Sequence, residues 1–155
     1  MGPVREPSDW TDVVAIQQLV LAFCDAVTRG RWDRFEELWA PDGVWEETAP
    51  FEGWSDGARR IRTGAEASMA RVQLYVQTAH GTVVDRHDSA TASARTTIRG
   101  LSILDGRAIE NHGIYHDDMV RLDDGWRFRR RFLQNLYVEE RDQTGTVTVE
   151  RSRIR

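Results

Sequence analysis

One cysteine, Cys24, in a chain of 155 residues excludes an intrachain disulfide. It sits in "LVLAFC", where a free thiol most simply serves as a small buried hydrophobe. The same stretch is the longest apolar run, six residues against the roughly 20 that a spanning helix needs. The opening "MGPVREPSDW" holds no apolar signal region. A soluble, cytoplasmic protein with no membrane partner is therefore expected. Positive charge is not in excess: 21 Lys and Arg stand against 25 Asp and Glu, a net charge of −4. That balance leaves no nucleic-acid footprint. The chain has no Gly-rich phosphate loop and no serine nucleophile elbow, and no repeat or low-complexity segment is present. Histidines number only four. His112 and His116 lie four apart on a strand, a span of roughly 13 Å, too far for two ligands of one ion. His116 with Asp118 makes no site alone, so no metal is expected.

What is present is the substance of one domain. Hydrophobic residues make up 40% and charged residues 30%, an ordinary globular balance. Six tryptophans promise large apolar walls, in a core, a pocket or an interface. Residues 1–8 read as a loose arm, 9–140 as the domain, and 141–155 as a tail or an extra short strand. Val13, Ile16, Val20, Phe23 and Val27 form one helical stripe that ends at Arg29-Gly30. A second helix is expected from Trp32 to Ala40, stopped by Pro41-Asp42-Gly43. "GVWEE" reads as a first strand, and Ser55 can cap a third helix that runs to about Arg71. From Val72 the texture is that of long strands. The apolar phase shifts after Gly100, which predicts a sheet-bending bulge there. Asp105-Gly106 and Asp123-Asp124-Gly125 are turns, and the last strand runs to about Glu140.

Helices first and antiparallel strands after give an α+β domain, with helices on one face of a bent sheet and a concave pocket between them. This accounts for "GIYHDDMVRLDDGWRFRRRF", a hairpin with too many ionisable groups to face a packed core. Some of them would border a cavity. Tyr115 and Asp117 share a strand face. In the cone Asp117 would be a desolvated carboxylate fit for acid/base work; otherwise it pairs with Arg129 or Arg131 across the hairpin. Arg129, Arg130 and Arg131 divide between the two sheet faces. Trp45 and Glu47 also share a face, so Glu47 is a second candidate acid or else a solvated strand end. His80 has an ordinary pKa of about 6.5, which suits proton abstraction from carbon; a hydrogen-bonded sheet histidine is the plainer alternative.

The ordered set "AIQQLVLAFCDAVTRGRWDRFEELWAPDGVW", "TAHG" and "GIYHDDMVRLDDGWRFRRR" resembles the SnoaL-like branch of the nuclear transport factor 2-like superfamily, over about residues 12–137. The resemblance implies a cone-shaped α+β barrel: three N-terminal helices closing a strongly curved, mostly antiparallel sheet, commonly as a homodimer. It implies a deep apolar pocket without metal or organic cofactor. Members include polyketide cyclases, scytalone dehydratase, lindane dehydrochlorinase, ketosteroid isomerase and limonene epoxide hydrolase, so fold alone fixes no reaction. By this resemblance His80 matches the family's general base, Trp45 and Tyr115 its aromatic walls, and Arg131 its leaving-group arginine. Two positions depart from the pattern. The aspartate that charges the histidine is Thr28 here, and a tyrosine five residues earlier is Phe23. Asp25, nearly one helical turn before Thr28, is the nearest replacement carboxylate.

The expectation is a cofactor-free acid/base enzyme acting on a small, hydrophobic, oxygenated substrate by elimination, isomerisation or aldol-type cyclisation. His80, Asp117 and Arg131 would carry the chemistry. Trp45, Tyr115, Glu47, Phe23, Thr28 and Asp25 would shape the site. Two alternatives stand beside it. One is an epoxide hydrolase using an Asp–Arg–Asp set around a water. The other is a ligand-binding domain without catalysis, which Thr28 favours.

Overall fold

The apolar stripe read from the sequence becomes the buried side of helix α1 (Pro7–Arg29), with Ile16, Val20, Phe23 and Val27 all in the core. The computed structural model describes residues 7–154. The expected loose arm thus lies mostly outside the described residues, and its last two positions already belong to α1. By length and composition Trp10–Arg29 would suffice to cross a membrane. Here its stripe is covered by the sheet. Asp12, buried near the start of α1, ties the helix to the far hairpin. It accepts a hydrogen bond from Trp126 Nε1 at 3.0 Å and pairs with Arg121 at 3.1 Å and Arg86 at 3.3 Å. Gly30, at φ +66°, ends the helix in the left-handed conformation that glycine adopts without strain.

Helix α2 (Trp32–Glu37) is shorter than expected. Strand β1 (Trp39–Glu47) starts before Pro41-Asp42-Gly43, and a register irregularity between Trp39 and Val44 absorbs those residues. They kink a strand; they do not stop a helix. Ser55 does not cap a helix either. It lies in a short strand, β2 (Gly53–Asp56), with its backbone paired to Trp45. Helix α3 (Ala58–Ser68) begins after Gly57 without a side-chain cap. Four long strands follow: β3 (Leu74–Arg86), β4 (Thr91–Leu104), β5 (Arg107–Leu122) and β6 (Gly125–Asp142). They form one curved six-stranded sheet in the order β2-β1-β6-β5-β4-β3, antiparallel except where β1 meets β6. The three helices pack on its concave face, as expected of this fold.

The bulge expected at Gly100 is absent, since β4 pairs with β5 in unbroken register from Thr91 to Leu104. The breaks fall between Ala79 and Gly81 in β3, and in β6 at Leu136, opposite His112 and Gly113, and at Arg129, opposite Asp118 and Met119. The apolar phase change near Gly100 has another cause. At that end of β4 the inner face opens on a cavity, so it carries Gly100, Ser102 and Leu104, while Leu101 and Ile103 take the other face. A Cβ at Gly100 would collide with Asn111 Oδ1 and crowd the Tyr75 hydroxyl. Only glycine leaves those two polar groups room.

After Asp142 the tail forms no strand among the described residues; it carries one 3₁₀ turn, Arg151–Arg153. Arg151 closes the C-terminal end of α1. Its guanidinium donates to Val27 O and, at 3.4 Å, to Thr28 O, and it lies 5.2 Å from the centre of a Trp32 ring.

Candidate active site

Strand alternation sends Trp45 and Glu47 of β1, Tyr75 and Gln77 of β3, and Asn111 and Tyr115 of β5 to the inner face. They line a cavity of about 530 Å³ between the sheet and the helices. Phe23, Trp32, Phe35, Phe51 and Trp54 supply most of its remaining aromatic wall. Phe23 is the hub of the ring cluster beneath. It stacks on Trp45 with centroids 5.9 Å apart and meets Tyr115 edge-on at 5.6 Å.

Gln77 organises the polar side of the cavity. Its Nε2 donates to the Tyr75 hydroxyl at 2.8 Å and to the Tyr115 hydroxyl at 2.9 Å. Its Oε1 faces the Cys24 thiol at 3.7 Å. Both amide protons are then committed, and both phenol oxygens act as acceptors. Among the described residues neither hydroxyl makes a further hydrogen bond, so both O–H protons are available to a ligand oxygen. Burial raises the Tyr115 pKa well above its ordinary value. Burial, reinforced by the nearby Glu47 charge, raises that of Tyr75 as well. The pair therefore remains protonated, as hydrogen-bond donors must.

Glu47 brings a half-buried carboxyl to the cavity. Burial raises its carboxyl from the ordinary 4.5 to about 7, and a hydrogen bond from Asn135 Nδ2 at 3.3 Å offsets part of that rise. A carboxyl with a pKa near the working pH exists in both protonation states and can take or give a proton.

The residues singled out in the sequence divide into two groups. Phe23, Trp45, Glu47 and Tyr115 meet at the cavity. His80 does not. It is exposed, in the bulge between Ala79 and Gly81, and does not line the cavity. With Tyr75 and Gln77 inward, alternation points Ala79 inward too, and the bulge takes up His80. The wall position on β3 belongs to Gln77. Asp25 is exposed, pairs with Arg29 at 3.1 Å and does not line the cavity. The Thr28 hydroxyl accepts the Gln77 backbone N–H at 3.1 Å, so it pins α1 to β3 and charges nothing.

Asp117 and Arg131 lie apart from the cavity lining. They lie opposite each other in the β5–β6 register and form a bidentate pair, Nε to Oδ1 and Nη2 to Oδ2, both at 2.8 Å. Both side chains are fully buried and neither lines the cavity. The ion-pair alternative is the correct one. The guanidinium carbon lies 3.9 Å from the Tyr115 ring centre, 4.0 Å from Phe128 and 4.3 Å from Phe23. Burial pushes the Asp117 carboxyl above its ordinary value, and Arg131 works against that rise. No Asp or Arg stands among the described residues that line the cavity, so an Asp–Arg–Asp set around a water is not assembled from them. Among the described residues no group of three or more His, Cys, Asp or Glu could hold a metal ion.

Tyr75, Gln77, Asn111 and Asn135 were not singled out in the sequence. The available signal was "LYVQ", whose alternation already puts a tyrosine and a glutamine on one face.

The model of the SnoaL-like domain matches residues 8–132. No curated protein matches the chain. Among solved structures, a proposed aromatic ring hydroxylase of Novosphingobium aromaticivorans is 24% identical, with a TM-score of 0.80 over 88% of this chain and 96% of that one. A proposed scytalone dehydratase of the same organism is 15% identical, with a TM-score of 0.77 over 95% and 97%. A hexachlorocyclohexane dehydrochlorinase of Novosphingobium barchaimii is 16% identical, with a TM-score of 0.78 over 91% and 96%. At these identities the likeness establishes the fold.

Proposed function

The chain belongs to the SnoaL-like domain family, and from that premise we propose that it is a cofactor-free acid/base enzyme that moves a proton at the carbon beside a carbonyl group. One observation carries the reading: a carboxyl with a pKa of about 7 and two available tyrosine hydroxyls border the same aromatic cavity. The substrate is a small, hydrophobic, oxygenated molecule that fits about 530 Å³. It carries no negative charge where it meets Glu47 and Glu52, the charged residues of the described lining.

The substrate carbonyl accepts hydrogen bonds from the Tyr75 and Tyr115 hydroxyls. Glu47 removes the neighbouring C–H proton, the electron pair moves to the oxygen, and the two hydroxyls hold the enolate charge. Returning the proton to another carbon gives isomerisation. Loss of a hydroxyl at the β-carbon, protonated by Glu47 as it leaves, gives dehydration. A preorganised donor to an oxyanion contributes roughly 10²–10³ in rate, and a general base roughly 10²–10⁴. The dehydratase and dehydrochlorinase among the structural neighbours are named for eliminations, the same class of step. A homodimeric, cytoplasmic state completes the proposal; a monomeric mass by light scattering at micromolar concentration would remove its dimeric part.

The test needs no natural substrate. Hydrogen–deuterium exchange beside the carbonyl of a bicyclic aromatic ketone such as 2-tetralone is followed by NMR in D₂O. The wild-type chain should accelerate exchange, and Glu47→Gln should lower the rate by roughly 10²–10⁴. No acceleration across a panel of such ketones would count against the proposal.

A further inference from the structure

Glu47 is not held by the cavity wall alone. Asn135, on the neighbouring strand β6, turns its Nδ2 toward Glu47 Oε1 at 3.3 Å, Thr48 O at 3.2 Å and Ala49 O at 3.5 Å. Its Oδ1 accepts from Asn111 Nδ2 at 3.0 Å. Its backbone N–H donates to Thr48 Oγ1 at 3.0 Å. Three acceptors face one end of the amide and share its two protons, and one donor faces the other end, so the nitrogen must be the end turned to Glu47. Asn111 is buried and lines the cavity, and it sits against the bare backbone of Gly100. Gly100, Asn111, Asn135 and Glu47 thus form a continuous line across three adjacent strands to β1.

We propose that Asn135, oriented by Asn111, is a positioning residue that holds Glu47 by Oε1 and leaves Oε2 for proton transfer. The inference deepens the proposed function and rests on Glu47 as the proton carrier. The geometry does two things for a base. It fixes the carboxylate plane by tying both Glu47 and the two following carbonyls to one amide. It also commits one oxygen, so the proton moves through the other. The hydrogen bond favours the ionised carboxylate and restrains the rise that burial causes. Without Asn135, Glu47 would be a stronger base, but less often ionised at neutral pH and less well aimed.

The test reads Glu47 directly. Side-chain carboxyl ¹³C shifts are followed against pH in chain labelled at glutamate, with the Glu47 signal identified by its loss in Glu47→Gln. In Asn135→Leu the Glu47 midpoint should rise by about one pH unit. The alkaline shift should also appear in the ketone-exchange profile. At the pH plateau kcat should fall several-fold with KM within about twofold. A removed substrate contact would raise KM, whereas a lost aim lowers kcat. Asn111→Ala, which frees the amide without touching Glu47, should shift the midpoint in the same direction by less. It also serves if Asn135→Leu folds poorly. An unchanged Glu47 midpoint in a folded Asn135→Leu or Asn111→Ala chain would overturn the positioning role, whatever the activity. Failure of the catalytic reading looks different: Glu47→Gln would keep its exchange rate while the midpoint still moved with Asn135.

Discussion

Asp117→Asn separates a structural carboxylate from a catalytic one. The substitution removes the charge facing Arg131 and keeps the shape. Both partners are fully buried and joined by two hydrogen bonds of 2.8 Å. The asparagine amide offers one acceptor where the carboxylate offered two, and it leaves a guanidinium uncompensated away from water. Removing one partner of a buried pair costs roughly 3–5 kcal/mol. Three aromatic rings at 3.9, 4.0 and 4.3 Å from the guanidinium carbon still favour the cation. The lower end, about 3 kcal/mol, is therefore expected, since each such contact contributes roughly 0.5–2 kcal/mol. In a chain of this size that lowers Tm by roughly 6–12 °C. Asp117→Leu with Arg131→Met removes both charges and should recover much of the loss. The assay is thermal unfolding by tryptophan fluorescence, alongside ketone exchange per folded molecule below the transition. The exchange rate should stay within a few-fold, because the pair lies beneath Tyr115 and outside the cavity. An Asp117→Asn chain with unchanged Tm and a hundredfold loss of rate would refute this reasoning and return Asp117 to the chemistry.

Further outcomes follow from the same geometry. Tyr75→Phe and Tyr115→Phe should each lower the exchange rate by roughly 10²–10³ and leave its pH midpoint near that of the wild type; rate profiles of the single variants check this. Glu47→Gln should stabilise the fold above neutral pH. The folded carboxyl titrates at about 7 against an ordinary 4.5, so as pH rises between those values the unfolded chain releases the proton first and wild-type stability falls. The variant escapes that fall, and melting curves should show its advantage growing from pH 4 to pH 8, to at most roughly 3 kcal/mol and less once partial solvent screening is counted. His80→Gln should leave both the exchange rate and Tm nearly unchanged, because the histidine is exposed in a bulge; a large loss of rate would show that it reaches the substrate.

The fold was legible because its signals are local. The α1 stripe, the Asp105-Gly106 and Asp123-Asp124-Gly125 turns and the alternation along the strands each depend on a few neighbours. The shared faces of Trp45 with Glu47 and of Tyr115 with Asp117 were legible for the same reason. What those faces meet was not. Tyr115 reaches the cavity and Asp117, two residues on, is buried with Arg131 opposite, because cross-strand register decides the partner. His80 drew attention as a residue type suited to proton transfer. A one-residue bulge settles its position, and such a bulge leaves little trace in "TAHG". Glu47 looked like a solvated strand end because its surroundings include partners distant in sequence, above all Asn135 of β6. Asn135 acquires its role only when β6 pairs beside β1, a parallel contact that chain order does not announce.

The account rests on Glu47 taking a proton from a carbon whose carbonyl is held by Tyr75 and Tyr115. The pH dependence of ketone exchange tests this most directly. The rate should rise with pH to a plateau with a midpoint near the carboxyl's value of about 7, and Glu47→Gln should abolish both the rise and most of the plateau. A profile with the same midpoint and height in Glu47→Gln would contradict it, since another group would then carry the proton.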